Sequence, residues 1–268
     1  MKFAVSIKTP EAQGEAPLAL FTGTFDERLQ KAAAQGYKGV ELIVSDPSKL
    51  DAKDLNDRMA AYGLVPVAVA TGYIFGSRGL TLVNGDPSVH QRAAELLKEL
   101  VQFASELGCN LVTIGGFRGK AAFVGGMEQA REQLHNALSG AEPLALELGV
   151  RIALEPLRRV ENDLLNNAQE VCDFIQEGGH KAVYLLLDVY HTVEEPDRLD
   201  VYRLYRDQLV HVHLADTGRV ALGLGDEDFT ALEKVLEEIG YEGWQSVELP
   251  RADDPDGNGR LPAYLLSL

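Results

Sequence analysis

The chain has 268 residues, 46% of them hydrophobic and 25% charged, and a formal net charge of −16. That length suits one large α/β barrel or two smaller domains, and it can bury a sizeable core without disulfide or metal staples. The acidic balance and the lack of a Lys/Arg run argue against a nucleic-acid partner, whose phosphates call for a basic face, and no run approaches the roughly 18 apolar residues of a membrane span.

In chain order, short β-rich runs alternate with longer helical patterns. Strands are expected at residues 3–8, 39–44, 65–71, 110–115, 151–156, 183–188, 209–214 and 245–249. Helices are expected between them at 26–35, 52–62, 87–107, 127–148, 168–177, 201–205 and 229–239. Several of these helices run into a glycine (Gly36, Gly63, Gly108, Gly149), a C-cap signal. The strands are continuous apolar runs such as "VYLLLD" and "LVTIGG", the pattern of parallel strands covered on both faces. Eight such units predict a (β/α)8 barrel formed by one domain over residues 1–268. A doubly wound open sheet competes, but it usually carries a Gly-rich phosphate turn after its first strand, and "SIKTPEAQG" has none. After the last strand only "RADDPDGNGR" and "LPAYLLSL" remain, so the eighth helix is short or incomplete.

Cys109 and Cys172 have no CxxC partner and sit in apolar segments, which predicts free thiols in a reducing compartment. Residues 1–8 show no cleavage-site pattern, and the expected location is the cytoplasm.

Active sites of (β/α)8 barrels lie at the C-terminal ends of the strands. Four consecutive strands finish there on an ionisable residue: Glu155, Asp188, His213 and Glu248. Singly, each has an ordinary explanation: a salt bridge for Glu248, a helix N-cap for Asp188, a hydrogen-bonded core histidine for His213. Together they would crowd three carboxylates into one mouth, which is very unfavourable unless a cation compensates. Three carboxylates and one imidazole are mostly hard donors, favouring Mn²⁺, with Mg²⁺ or Co²⁺ as alternatives, over Zn²⁺. Glu161, His191 and Arg219 follow Glu155, Asp188 and His213 by six, three and six residues and belong to loops at the same mouth.

The segments "ALEPLRRVENDLLNNAQE", "LLLDVYHTVEE", "HVHLADTGR" and "SVEL" resemble the xylose-isomerase-like barrel superfamily, and within it the ketose 3-epimerases. The resemblance covers nearly the whole chain. It implies a metal held by Glu155, Asp188, His213 and Glu248, with Glu161, His191 and Arg219 contacting substrate near its carbonyl and adjacent hydroxyls. "GYKGVELIVSDPS", "VAVATGYIFGSRGLTL" and "GGFRGK" are similar to 5-keto-L-gluconate epimerase, a branch acting on keto sugar acids, which implies Arg118 as a carboxylate contact. The loop "LGLGDEDF" departs from the family: Asp226 and Glu227 stand where a histidine often follows the second glycine.

The implied reaction is proton transfer next to a carbonyl through a metal-stabilised cis-enediolate, with Glu155 and Glu248 on opposite faces of the reacting carbon, one taking the proton and the other returning one. Aldose–ketose isomerisation of the hydroxypyruvate isomerase kind and dehydration of an inosose are the alternatives within the superfamily. Endonuclease-IV-like DNA repair shares much of the ligand set, but it needs a trinuclear zinc site with extra histidines. Only six histidines exist here, and His90, His135 and His180 lie in helical or loop contexts. The expected partner is a small keto sugar or sugar acid, and epimerases of this family are commonly homodimers or homotetramers.

Overall fold

The computed structural model describes residues 1–14, 16, 18–250, 261 and 265. Its strands are β1 (Phe3–Lys8), β2 (Gly39–Ile43), β3 (Val65–Ala70), β4 (Leu111–Ile114), β5 (Arg151–Leu154), β6 (Val183–Asp188), β7 (Leu209–Leu214) and β8 (Gln245–Val247). Its helices are α1 (Phe25–Ala34), α2 (Ala52–Ala61), α3 (Ile74–Arg78), α4 (Pro87–Leu107), α5 (Met127–Leu148), α6 (Ala168–Gly178), α7 (Asp200–Leu204) and α8 (Phe229–Glu238). Each strand pairs in parallel with its neighbour in sequence, and β1 pairs with β8, closing the barrel. The expected closing helix at 261–268 lies outside the described residues, apart from Leu261 and Leu265, which are both buried.

Local chemistry sets the element ends. Thr24 and Glu27 form a capping box at the start of α1, the Thr24 backbone N–H donating to the Glu27 carboxylate at 2.7 Å. Asp86 caps α4 by accepting from Ser88 N at 2.8 Å, with Pro87 in the first turn where no amide donor is needed. Among the described residues no helix is long and apolar enough to cross a membrane. Cys109 and Cys172 are both free, and burial pushes each thiol up to about 12.

Two apolar layers hold the fold. The larger lies between strands and helices and includes Val5, Val40, Leu97, Val112, Leu154, Phe174 and Leu187. A smaller one fills the barrel: Ala4, Val67, Ala68, Leu111, Ala153 and Leu186, with Trp244 and Val210 packed against it. Side chains of a strand alternate between these layers. Two places beyond Leu111, Ala153, Leu186 and Trp244 stand Thr113, Glu155, Asp188 and Ser246, and two beyond Ser246 stands Glu248, so these side chains also point inward. A register shift between Leu185 and Leu186 brings Leu186 opposite His211 and Asp188 opposite His213, setting both histidines on the inner face.

Candidate metal centre

Glu155 follows β5 directly, Asp188 ends β6, His213 lies one residue before the end of β7, and Glu248 follows β8. The sheet ladder continues through these tips. Glu155 N donates to Ile114 O at 3.1 Å, Glu248 N to Leu214 O at 3.0 Å, and Val189 N to His213 O at 3.0 Å. The four side chains are buried, and one ligand-capable atom from each lies within 4.8 Å of the other three. His213 Nδ1 stands 3.5 Å from Glu155 Oε1 and 3.5 Å from Glu248 Oε2.

Does this set fit a divalent cation? Glu155 Oε1 and His213 Nδ1 are both buried without a hydrogen-bond partner, and they face each other. Buried polar atoms rarely go unpaired, because each costs about 1–3 kcal/mol. A cation between them satisfies both. Gly115 makes room for this carboxylate: a Cβ there would come within 2.5 Å of Glu155 Oε2. Charge points the same way. Burial opposes ionisation of Glu248, but His213, and then Arg219, overcome it and hold that carboxyl at about 2. Burial also opposes the charged form of His213, yet Glu41 and Glu248 raise its pKa well above the usual histidine value. Asp188 is pushed up, by burial first and with Glu248 adding to it, against the opposing pull of Arg219. A field this negative is what a divalent cation relieves. The residues fit, and the donor set is oxygen-rich with one imidazole.

The side of His213 away from the centre is equally built. Its Nε2 faces both oxygens of Glu41, at 3.2 and 3.1 Å. Glu41 lies wholly inside the barrel, where Thr113 Oγ1 donates to it at 3.0 Å and His211 Nε2 stands 3.0 Å away. His211 Nε2 is also 2.9 Å from Ser246 Oγ. Glu41, His211 and His213 could themselves ligate a cation, but their facing atoms already pair with one another. The arrangement suits a carboxylate orienting a ligand histidine: with a cation bound, Nε2–H would be given to Glu41 and the Nδ1 lone pair to the centre. Sequence reasoning missed Glu41, His211, Thr113 and Ser246. The available signal was an acid inside the apolar run "GVELI" and two histidines at the strand period of two.

The other expected residues are placed as follows. Arg219 Nη2 donates to Asp188 Oδ2 at 3.0 Å and Nη1 to Glu248 Oε2 at 3.2 Å, while the guanidinium lies 4.3 Å from the Tyr190 ring centroid. Burial would lower its pKa, but Asp188, Glu248 and Glu155 raise it further, so the positive charge is fixed. His191 is buried; its Nδ1 accepts from Arg158 N at 3.2 Å, and its Nε2 is 3.8 Å from Asp188 Oδ2 and 3.9 Å from Glu155 Oε1. Glu155, Glu161, His191, His213, Arg219 and Glu248 line one cavity of about 300 Å³, within the range of small-molecule sites. Glu227, in the departing loop, turns to Arg198 at 2.7 Å.

Arg118 requires a correction. It is fully buried and donates to the carbonyl oxygens of Leu164 at 3.0 Å, Leu165 at 3.1 Å, Gly115 at 3.4 Å and, most closely, Glu155. All its polar nitrogens are spent on backbone, so it braces the loops after β4 and β5 rather than meeting a substrate carboxylate. Burial pushes its guanidinium down to about 10.

The family model for the xylose isomerase-like TIM barrel matches residues 29–266. The ketose 3-epimerase of Arthrobacter globiformis is 27% identical, over 84% of this chain and 78% of that protein. The L-ribulose 3-epimerase of Mesorhizobium japonicum is 29% identical, over 81% and 72%. Among solved structures, the 3-keto-D-glucoside 4-epimerase of E. coli superposes with a TM-score of 0.80 at 22% identity, covering 95% of this chain and 94% of that one, a likeness of fold. With a closed eight-stranded barrel and a carboxylate–histidine cluster at its strand ends, the chain belongs to the xylose isomerase-like TIM barrel family, as a relative of the ketose 3-epimerases.

Proposed function

We propose that this chain is an isomerase that epimerises a keto sugar with a divalent cation, Mn²⁺ first among the candidates, held by Glu155, Asp188, His213 and Glu248. The observation that carries the reading is the pair of orphaned buried atoms, Glu155 Oε1 and His213 Nδ1, facing each other inside a ring of three carboxylates. The curated relatives named as epimerases of ketoses support the choice of reaction. Oxygen-rich ligands favour Mn²⁺, Mg²⁺ or Co²⁺ over Zn²⁺.

The cation supplies electrostatic stabilisation of the negative charge that grows on the substrate's carbonyl oxygen as the adjacent C–H ionises. The chain's own residues do the rest. In this scheme Glu155 and Glu248, which both line the cavity, take opposite faces of the reacting carbon; one takes the proton from the carbon next to the carbonyl, and the other, protonated, returns one from the far face, inverting the centre. Arg219 holds Asp188 and Glu248 in place and offers its guanidinium to a substrate hydroxyl. His191 and Glu161 bind the carbonyl end.

The test is a panel of ketoses in D₂O with metal-stripped and Mn²⁺-reloaded protein. Reloading restores epimerisation and deuterium incorporation at the inverted carbon. Glu155→Gln and Glu248→Gln each lower both by orders of magnitude at saturating Mn²⁺. Undiminished exchange in both variants, or full activity after exhaustive chelation, overturns the scheme.

A further inference from the structure

The loop after β7 carries Arg219 to the metal cluster on an uncommon backbone. Gly218 and Arg219 are consecutive left-handed residues, at φ +73° and +59°. Glycine takes that conformation freely; an arginine does so only where its surroundings hold it there. Asp216 supplies part of the hold. It is fully buried, and its carboxylate accepts from Thr217 N at 2.8 Å, Gly223 N at 2.7 Å and Glu227 N at 3.0 Å, while its carbonyl accepts from Arg219 N at 2.8 Å. A Cβ on Gly225 would come within 2.3 Å of Asp216 Oδ1, so the turn closes tightly round this one side chain.

All these bonds run within residues 216–227, so they set the loop's shape rather than its seat on the barrel. Glu227 supplies a seat. Its Oε1 accepts from Arg198 Nη2 at 2.7 Å and from Thr217 Oγ1 at 3.2 Å. The same Arg198 Nη2 donates to Val189 O at 3.1 Å, and Val189 directly follows Asp188 of the metal cluster. One guanidinium therefore ties the loop after β7 to the loop after β6. Arg219 spans the same two loops, donating to Asp188 Oδ2 at 3.0 Å with its guanidinium 4.3 Å from the Tyr190 ring centroid. Residues 188–190 are thus held to the loop at two points, and a shift at the first moves the second. Arg198 and Glu227 line a separate cavity of about 220 Å³, not the one that holds Glu155 and Glu248. Glu227 lies in "LGLGDEDF", where the chain departs from the family pattern, so this tie is not among the contacts that the resemblance implies.

We propose that Arg198 and Glu227 are a positioning pair: their ion pair latches the loop after β7 onto the loop after β6 and so fixes where the Arg219 guanidinium stands over the cluster, without itself meeting the substrate. What Arg219 then does to a substrate hydroxyl rests on the epimerase reading above; the latch itself does not.

The test uses the full chain loaded with Mn²⁺ and the variants Arg198→Met, Glu227→Gln, their double and Arg198→Lys. The first readout needs no substrate: deuterium uptake by peptides spanning residues 216–227, and solvent exchange of the Arg219 side-chain N–H resonances, assigned by their loss in Arg219→Lys. The side chains are 39% and 12% exposed, so the pair is only partly shielded from water. Each single variant should quicken both exchanges by about three- to fivefold, the scale of such a pair; the double should do no more than either single, and Arg198→Lys much less. The second readout is turnover of a ketose. Each single variant should raise KM by a similar factor with kcat nearly unchanged, and the same substitutions in an Arg219→Met background should add nothing. Thermal unfolding checks the fold of each variant; should Arg198→Met unfold, Glu227→Gln, isosteric with the native residue, carries the comparison. Unchanged exchange in the single variants, or additive effects in the double, overturns the latch. A KM rise that persists in the Arg219→Met background overturns the positioning role, because the pair then acts by another route. Latch-dependent exchange in a protein that turns over no ketose overturns the epimerase reading and leaves the latch standing.

Discussion

Replacing Glu41 with glutamine is expected to weaken metal binding although Glu41 touches no metal. In the native chain the Glu41 carboxylate faces three groups: His213 Nε2 at 3.1 Å, His211 Nε2 at 3.0 Å and Thr113 Oγ1 at 3.0 Å. Glutamine keeps one oxygen and swaps the other for an NH₂. That NH₂ confronts a donor on His211 or His213, or it forces the His213 proton onto Nδ1, the atom that must give its lone pair to the cation. Either way one charge-assisted hydrogen bond is lost, about 1.5–3 kcal/mol. The orienting carboxylate of a ligand histidine typically accounts for 10–100-fold in metal affinity, a range that agrees with this energy at about 1.4 kcal/mol per factor of ten. Isothermal titration of metal-free protein with Mn²⁺ should therefore show Kd rising by roughly 10–100-fold in Glu41→Gln. Thr113→Val, which removes one neutral donor from the same carboxylate, should raise it far less. Circular dichroism must show the native fold in both. A folded Glu41→Gln protein with wild-type Mn²⁺ affinity refutes the reasoning: His213 would then need no partner on its far side.

Two further predictions concern stability. Arg118→Met leaves the carbonyl oxygens of Gly115, Glu155, Leu164 and Leu165 without their donor; relief of a buried charge offsets part of this, and urea unfolding should show a net loss of roughly 3 kcal/mol. Between α5 and α6, His135 Nδ1 lies 3.0 Å from His180 Nε2, and the His135 pKa is lowered by burial first and then by His180 and Arg131. A histidine with a depressed folded pKa takes up its proton more readily when unfolded, so its contribution to stability is complete above the ordinary histidine value and is lost as pH falls below it. The urea midpoint should fall between about pH 7 and pH 5, and His135→Gln should flatten that slope; an identical slope in the variant assigns the acid sensitivity elsewhere.

Most of the barrel was legible because its signals are local. The spacing predicts helices over 87–107 and 127–148, the observed bounds of α4 and α5, since Pro87, Gly108 and Gly149 mark ends whatever the helix packs against. The runs at 183–188 and 209–214 match β6 and β7 for the same reason. The five-residue α3, between β3 and α4, is not among the expected helices; its "IFGSR" carries a glycine in the middle of the single turn, which reads as loop. The site divides along a similar line. Glu155, Asp188, His213 and Glu248 were legible because the barrel rule converts a position at a strand end into a position in space. Arg118 was not: in "GGFRGK" a guanidinium between glycines looks exposed, and only the fold of residues 155–165 over it brings three carbonyls onto it beside that of Gly115. Lys120, two places on, is the cation that meets the cavity. Which of two neighbouring loop cations faces inward is decided by tertiary hydrogen bonds that no short window of sequence contains.

This division has a mechanical consequence. The four side chains of the candidate metal site sit at or directly beside strand ends, and their height is set by ladder bonds such as Glu155 N to Ile114 O and Glu248 N to Leu214 O. Glu41 and Ser246 on β2 and β8 fix the histidine side of the same cluster from within the barrel. Lys120 and Glu161 instead stand on loops tied mainly to each other, through Asp163 and Asn162. A substitution in the interior layer must therefore disturb metal geometry before it disturbs substrate choice, whereas one in the paired loops after β4 and β5 changes what the cavity accepts while the ladder holds the cation's ligands where they are. The two kinds of substitution separate experimentally as changes in Mn²⁺ affinity and changes in ligand preference. The buried Arg118 joins them, because one of the carbonyls it holds belongs to Glu155 itself.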